Sequence, residues 1–408
     1  MSPGSLFIVC ADLAATSETF VRRETEGLRE LGWKVAEIGL RQTGTGRPGT
    51  RPGISGSVFV PALLQTIRHL PLRQKVALVR HSRDALRLAG GNPRPDLFLA
   101  QFAWTTADAC ALASRISGIP WACRIHAWDV FAQPLPLLRH RLASASLLLP
   151  CTQAAASRLM EAGLPPSRIR RIRHGVDMPE PAPLPRRRSE AGEHPARTIL
   201  AIGRLVPKKG FDTLLRACAL LPETPRRSTT LRLIGEGGQR LRLERLAEEV
   251  GLRGKKGETR NPGECPRSVE VEFSGALPHS RAMEELRKAD LLVLPSRRLP
   301  SGDCDGVANV LLEAMANGVP VVTTTGGCAG EVLEHGRNGW LVPPDDPPAL
   351  ASAIRQLLDD DDLRASLAAA ARKTLLARFS PGETLHKLSA ALSGVVRQPD
   401  GSVRDTGF

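Results

Sequence analysis

Residues 305–327 read DGVANVLLEAMANGVPVVTTTGG. Asp305 stands before an apolar segment, Glu313 stands eight residues later, and a β-branched run ends on two glycines. ANVLLEAMANG reads as a helix and VPVVTTT as a buried strand. A helix feeding a strand is the repeating step of a parallel α/β sheet. The two acids have two readings: a solvated loop acid with a helix-surface acid, or a pair that grips a polyhydroxylated ligand.

The same step recurs on both sides of this stretch. Downstream, GWLV and PALASAIRQLL give one more strand and helix. Upstream, TILAIGRL, GFDTLLRACALL, TTLRLIGEG, QRLRLERLAEEVGL, VEVEFSGAL, SRAMEELRKA and DLLVLPS alternate strand and helix. An earlier series begins with SLFIVCA, SETFVRRETEGLRELGW and KVAEIGL, and continues through DLFLA, TTADACALASRISG, PWACRIH, SASLLLP and TQAAASRLMEAGL. Between the two series, residues 179–197 are rich in Pro, Arg and small polar residues, which marks a linker. The chain of 408 residues is too long for one ordinary core. The expectation is two Rossmann-like parallel-sheet α/β domains, 1–178 and 198–375, with a helix over 376–395 crossing back to the first. Residues 254–268 read as a polar surface insertion and 396–408 as a disordered tail.

Net charge is +14, and it is uneven. Residues 1–190 hold 26 Lys and Arg against 14 Asp and Glu, whereas the remainder holds 30 against 28. The basic first half suits phosphates, nucleic acid or an anionic membrane surface. Only 4% of residues are aromatic, which makes base-stacking platforms scarce and argues against nucleic acid. Eight cysteines occur with no CxxC spacing, so no zinc knuckle or redox motif is visible, and a cytoplasmic setting is expected. No run of about 18 apolar residues exists to form a transmembrane helix.

Ligands of open α/β sheets bind beyond the carboxyl ends of the strands. After TILAI come Gly203, Arg204, Lys208, Lys209 and Gly210, a basic loop at a helix N-terminus that suits a phosphate. The loop is neither a Walker A sequence nor GxGxxG. Gly235 to Gly238 follow the next strand, and Ser274 and Gly275 the one after, where small residues admit a ring or a backbone. Asp305 is expected just outside a helix beginning near residues 307–309, whose free N–H groups and dipole favour a phosphate. Glu313, one turn in, would grip a diol such as ribose.

Taken together, GRLVPKKGFDTLLRA, LIGEGG, VEFSGALPHSRAMEELRKADLLVLPS and the stretch from Asp305 to Asp346 resemble the C-terminal half of a family 4 retaining glycosyltransferase of GT-B architecture. More loosely, SETFVRRETEGLRELGWKV, RIHAWDVF and RHGVDM resemble that family's N-terminal half, in a form similar to exopolysaccharide-assembly members. The resemblance implies two domains facing across a cleft, and a sugar moved from a nucleoside-diphosphate sugar to a hydroxyl of a glycan or lipid-linked acceptor. It implies Arg204 and Lys209 on the diphosphate, Asp305 and His126 at the donor sugar, and Glu313 on the ribose. Gly203, Gly235, Leu277, Asn309 and Val310 complete the expected nucleotide side. Asp305 is one methylene shorter than the glutamate usual at that place. Ala14 to Thr16 replace a glycine-rich loop, which suggests a role toward the acceptor. No metal or other cofactor is expected, because lysine and arginine take the cation's part. An anionic inner membrane surface is the expected setting of the basic half. An epimerase or phosphorylase of the same fold, or a basic nucleic-acid binder, are the alternatives.

Overall fold

The computed structural model describes residues 3–11, 19–40, 84–179, 196–222, 228–254 and 269–396. Ala14 to Thr16, most of the 179–197 linker, residues 255–268 of the insertion and the tail after 396 lie outside the described residues. The chain divides into two compact units: Met1–Gly175 together with Pro381–Phe408, and Val176–Ser380.

In the first unit, β1 (Ser5–Cys10), β2 (Lys34–Gly39), β3 (Leu97–Gln101), β4 (Trp121–Ile125) and β5 (Leu147–Pro150) form an all-parallel sheet in the order β2-β1-β3-β4-β5. Parallel strands need crossovers, here α1 (Thr19–Glu30), α2 (Thr105–Ser117), α3 (Ala127–Phe131) and α4 (Leu135–Leu142), with α5 (Gln153–Glu161) following β5. Period-two alternation divides β1 between two cores: Phe7 and Val9 on one sheet face, Leu6, Ile8 and Cys10 on the other. Helices on both faces bury both sets, which is why the strands read as continuous apolar runs. The second core also takes Leu388 and Leu392 of the last helix. Trp33 Nε1 donates to Ser389 Oγ of that helix at 2.8 Å.

In the second unit, β6 (Arg197–Ile202), α6 (Phe211–Ala219), β7 (Thr229–Ile234), α7 (Arg240–Glu249), β8 (Arg253–Gly254), β9 (Val269–Gly275), α8 (His279–Lys288) and β10 (Leu291–Leu294) follow one another. Next come α9 (Asn309–Ala316), β11 (Val321–Thr324), β12 (Trp340–Val342), α10 (Pro347–Asp359) and α11 (Asp361–Arg378). The seven parallel strands lie in the order β12-β11-β10-β6-β7-β9-β8. The order reverses beside β6, whose neighbours are β7 on one side and β10 on the other. That switch point opens a crevice at the carboxyl ends of β6 and β10.

Both ends of the β6/β10 pair are tied. At the amino end, Arg197 Nη1 lies 3.0 Å from Asp290 Oδ1, and both side chains are buried. This pairing draws Arg197, the last residue of the expected linker, into β6. The expected boundary between 375 and 376 falls inside α11, which runs on to Arg378; the chain passes to the other unit after Ser380, and α12 is Pro381–Ser393. α11 continues because Leu375 and Phe379 remain buried in the second unit's core, so its apolar stripe extends one turn past the expected stop. Among the described residues, no helix is long and apolar enough to cross a membrane, and no disulfide joins the cysteines.

Candidate active site

The loop after β6 is shaped by close backbone approach. Gly203 N–H donates to Ile234 at 3.0 Å, Leu205 N–H to Glu236 at 2.9 Å and Gly235 N–H to Gly275 at 2.8 Å, so three strand ends are stitched together. Gly235 has φ +146, and a Cβ there would sit 1.9 Å from the Gly203 carbonyl oxygen. Only glycine permits this spacing, which is the physical content of the expectation that small residues end these strands. Beyond Leu205 the chain makes a 3₁₀ turn, Pro207–Lys209, and enters α6 through Gly210 at φ 67.

That turn aims two lysines at the loop after β10. Lys209 Nζ lies 2.6 Å from Asp305 Oδ2, and Lys208 Nζ lies 2.9 Å from Asp303 Oδ1 and 3.9 Å from Asp305 Oδ1. Ser296 Oγ donates to Asp305 Oδ2 at 2.7 Å. Lys208, Lys209 and Asp305 are all nearly buried. Burial pushes the Asp305 carboxyl up, but Lys209, Ser296 and Lys208 together hold it below its ordinary range. Two acids spaced one residue apart are thus met by two adjacent ammonium groups. The loop is backed by Gly327, whose Cβ would lie 2.7 Å from the Asp305 carbonyl oxygen.

Arg204 sits at the same strand end but is exposed, with no side-chain partner among the described residues. α9 begins at Asn309, its preceding residue Ala308 offers no side-chain cap, and Asn309 and Val310 form its first turn. Glu313, one turn in, is largely buried and lies 3.1 Å from His279 Nε2 at the start of α8. Leu277 packs half-buried against the core just before that helix. The expected residues Gly203, Arg204, Lys209, Asp305, Asn309, Val310, Glu313, Gly235 and Leu277 therefore all occupy carboxyl-end loops or helix starts of one sheet. Lys208, Ser296, Asp303 and His279 are additions. Lys208 had a sequence signal as the neighbour of Lys209; the serine and the histidine had none.

His126 belongs to the other unit, where it follows β4 and starts α3. Its N–H donates to Asp129 Oδ2 at 2.8 Å. The imidazole is packed between aromatic rings, with centroids 4.8 Å from Phe20 and 4.5 Å from Phe102, and is stacked on His174 at 5.1 Å. Phe102 has φ 75, a conformation strained for a side chain of that size, and it is this conformation that places its ring on His126. Below lies a buried ion pair. Arg124 Nη2 meets Glu24 Oε1 at 2.5 Å, and Glu24 Oε1 also lies 3.0 Å from His174 Nδ1. Burial opposes the charge on Glu24, yet Arg124 and His174 hold its carboxyl far below the ordinary range. Burial, then His174 and Arg124, push His126 well below its ordinary value, so its imidazole is neutral at pH 7.

Residues 17–179 match the family described as Glycosyltransferase Family 4, and residues 196–360 match Glycosyl transferases group 1. Among curated relatives, the putative colanic acid biosynthesis glycosyltransferase WcaL of Salmonella typhimurium is 31% identical over 64% of this chain and 61% of that protein. The amylovoran biosynthesis glycosyltransferase AmsK of Erwinia amylovora is 28% identical over 65% of this chain and 63% of that protein. The chain thus spans less than two thirds of the length of these relatives. Among solved structures, Anabaena HepE in complex with UDP superposes with a TM-score of 0.67 at 20% identity, over 95% of this chain and 99% of that one. Sucrose-phosphate synthase from Thermosynechococcus elongatus gives 0.71 at 20% identity, over 95% and 98%. With a family 4 match over its first half, a group 1 match over its second, and a parallel α/β unit under each, the chain belongs to the family 4 and group 1 glycosyltransferases of GT-B architecture.

Proposed function

We propose that this protein transfers a sugar from a nucleoside-diphosphate sugar to a hydroxyl of a glycan or lipid-linked acceptor in surface polysaccharide assembly, with retention at the anomeric carbon. The observation that carries the reading is the exposed Arg204, without a side-chain partner among the described residues, on the same post-β6 loop as the Lys209 that pairs with Asp305, at the switch point of a parallel sheet. Relatives named for colanic acid and amylovoran biosynthesis, and a neighbour solved with UDP, support the choice of substrate class.

Departure of a diphosphate builds negative charge on its bridging oxygen. An uncapped helix N-terminus offsets about half a unit. Arg204, free to turn, adds a whole charge, and Lys209 adds a second when it trades part of its bond to Asp305 for the phosphate. In a site shielded from water such groups contribute several kcal/mol to the transition state. Asp305, kept ionised by its lysines, faces the cationic sugar, while Glu313 takes the ribose hydroxyls. In this reading lysine and arginine supply the positive charge, and no metal is assigned. The basic first half would meet an anionic membrane carrying a lipid-linked acceptor.

A panel of UDP-, GDP- and ADP-sugars, read by heat of binding and by slow donor hydrolysis, identifies the donor. With that donor, Arg204→Ala is expected to lower kcat by about 10²-fold or more. Its melting temperature should barely move, since the side chain is exposed. Near-normal turnover would sink the reading. Product NMR tests retention, chelator tests metal independence, and flotation with anionic vesicles tests the membrane surface.

A further inference from the structure

Of the five tryptophans, Trp128 alone is exposed, at 46%, whereas the others are buried or half-buried. Its indole is stacked on that of Trp104, with ring centroids 4.5 Å apart and planes 22° from parallel. Trp128 lies in the first turn of α3, after β4, and Trp104 immediately precedes α2, after β3. β3 and β4 are neighbours, so both rings stand at the carboxyl edge of the first unit's sheet, the edge at which α/β sheets meet ligands. The Arg141 guanidinium carbon lies 5.3 Å over the Trp104 ring, a cation–π contact. Arg141 is in turn gripped through Nε and Nη2 by the two carboxylate oxygens of Asp108, at 2.8 and 3.0 Å, and both side chains are buried. Trp104 Nε1 is buried without a hydrogen-bond partner. A buried indole N–H ordinarily donates, so this ring keeps its place by stacking, at the cost of a hydrogen bond.

Resting on the transfer reading, we propose that Trp128 is the platform on which one sugar ring of the acceptor glycan lies, and that Trp104 and Arg141 hold its indole in place. A hexopyranose carries its hydroxyls around the rim, while its axial C–H groups make a face apolar. Those hydrogens bear partial positive charge and suit the negative face of an indole. Trp104 covers one face of the Trp128 ring, and the opposite face is left for the ligand. A ring already stacked loses little freedom when a ligand arrives, so more of the contact appears as affinity. A single flat ring suits a sugar better than a bilayer. Among the described residues of the first unit, the other exposed large hydrophobic side chain is Met160 on α5, and a membrane anchor needs a wider apolar face.

The test is saturation-transfer NMR of the full chain, without donor, using the methyl α- and β-pyranosides of glucose, galactose and mannose. Stacking reads a C–H face that all of these rings present, so the panel does not depend on the natural sugar. Irradiation of the aromatic protons should mark the C–H protons of one ring face. Trp128→Ala should lose this signal, with Kd raised about 10-fold or more as one aromatic stacking partner is removed. Trp128→Phe keeps a smaller ring and should retain part of it. No transfer to any of these glycosides in the unsubstituted protein overturns the proposal, a result that needs no variant to fold. Signal of equal strength in Trp128→Ala overturns it as well. So does a loss of flotation with anionic vesicles in Trp128→Ala when the unsubstituted protein gives no sugar signal, which would assign the ring to lipid. The donor panel decides the transfer reading separately. A sugar signal with no donor bound would leave a glycan platform standing and reject transfer, whereas a bound donor with no sugar signal would do the reverse.

Discussion

Lys209 Nζ lies 2.6 Å from Asp305 Oδ2 although 96 residues separate them in the chain. The ammonium assigned to the leaving diphosphate and the carboxylate assigned to the sugar thus neutralise each other before any substrate binds. A donor that draws Lys209 onto its phosphate releases part of the Asp305 charge toward the sugar at the same moment. The two roles are coupled by one short bond.

Asp305→Asn removes the charge but keeps the size, whereas Asp305→Glu keeps the charge and adds a methylene. The asparagine variant should lose about 10²-fold or more in kcat, as for other lost charge-stabilising groups. The glutamate variant should keep most of its activity. Equal losses in both would mean that geometry, rather than charge, governs this position. Steady-state kinetics of the pair, with folding checked by circular dichroism, decides.

The Asp305 carboxyl is held below its ordinary value in the folded protein. A lowered folded value means that the folded state favours the ionised form. Its stabilising contribution is therefore complete above the unfolded value of about 4, and is lost as pH falls through the folded value. The stability gap between the unsubstituted protein and Asp305→Asn should be constant from pH 5 to 7 and narrow in acid below pH 4. Denaturant titrations at a series of pH values measure it; a gap that widens in acid contradicts the sign.

Gly210 enters α6 at φ 67, and a Cβ there would lie 2.0 Å from the Pro295 carbonyl oxygen. Backbone strain and a clash with main chain combine, so Gly210→Ala should cost at least about 2 kcal/mol. Gly238→Ala serves as the control, since nothing lies within 4 Å of its would-be Cβ. That change should stay within about 0.5 kcal/mol. Because Pro295 precedes Ser296, the Gly210 variant should also disturb Asp305 and lower turnover.

Glu24 and Arg124 tie α1 to β4 deep in the first unit, and Arg124 Nη1 also donates to the Ile172 carbonyl at 2.6 Å. Glu24→Gln leaves a fully buried guanidinium without its counter-charge. Breaking such a pair from one side costs about 3–5 kcal/mol. Urea unfolding should show that loss, and a change under 1 kcal/mol would mean that the carbonyl partners alone satisfy Arg124.

Much of this molecule was legible before any coordinates. The alternation of apolar runs with helical spacing identified strands and helices, because parallel strands covered on both faces must be apolar throughout. Arg204, Lys209, Asp305 and Glu313 stood out because strand ends and helix starts are where an α/β sheet can meet a ligand. Three things depended on the tertiary structure. Which strand ends are neighbours is a matter of strand order, so only the placement of β10 beside β6 brings Asp305 to Lys209. The supporting Ser296, Asp303 and His279 have no local signature, since a serine or histidine in a loop looks the same with or without a buried partner. The stack of His126 on His174 is assembled from the end of β4 and a distant segment. Local chain preferences determine elements; the company that a side chain keeps is determined by the packing of elements far apart in sequence, and no window of residues contains that.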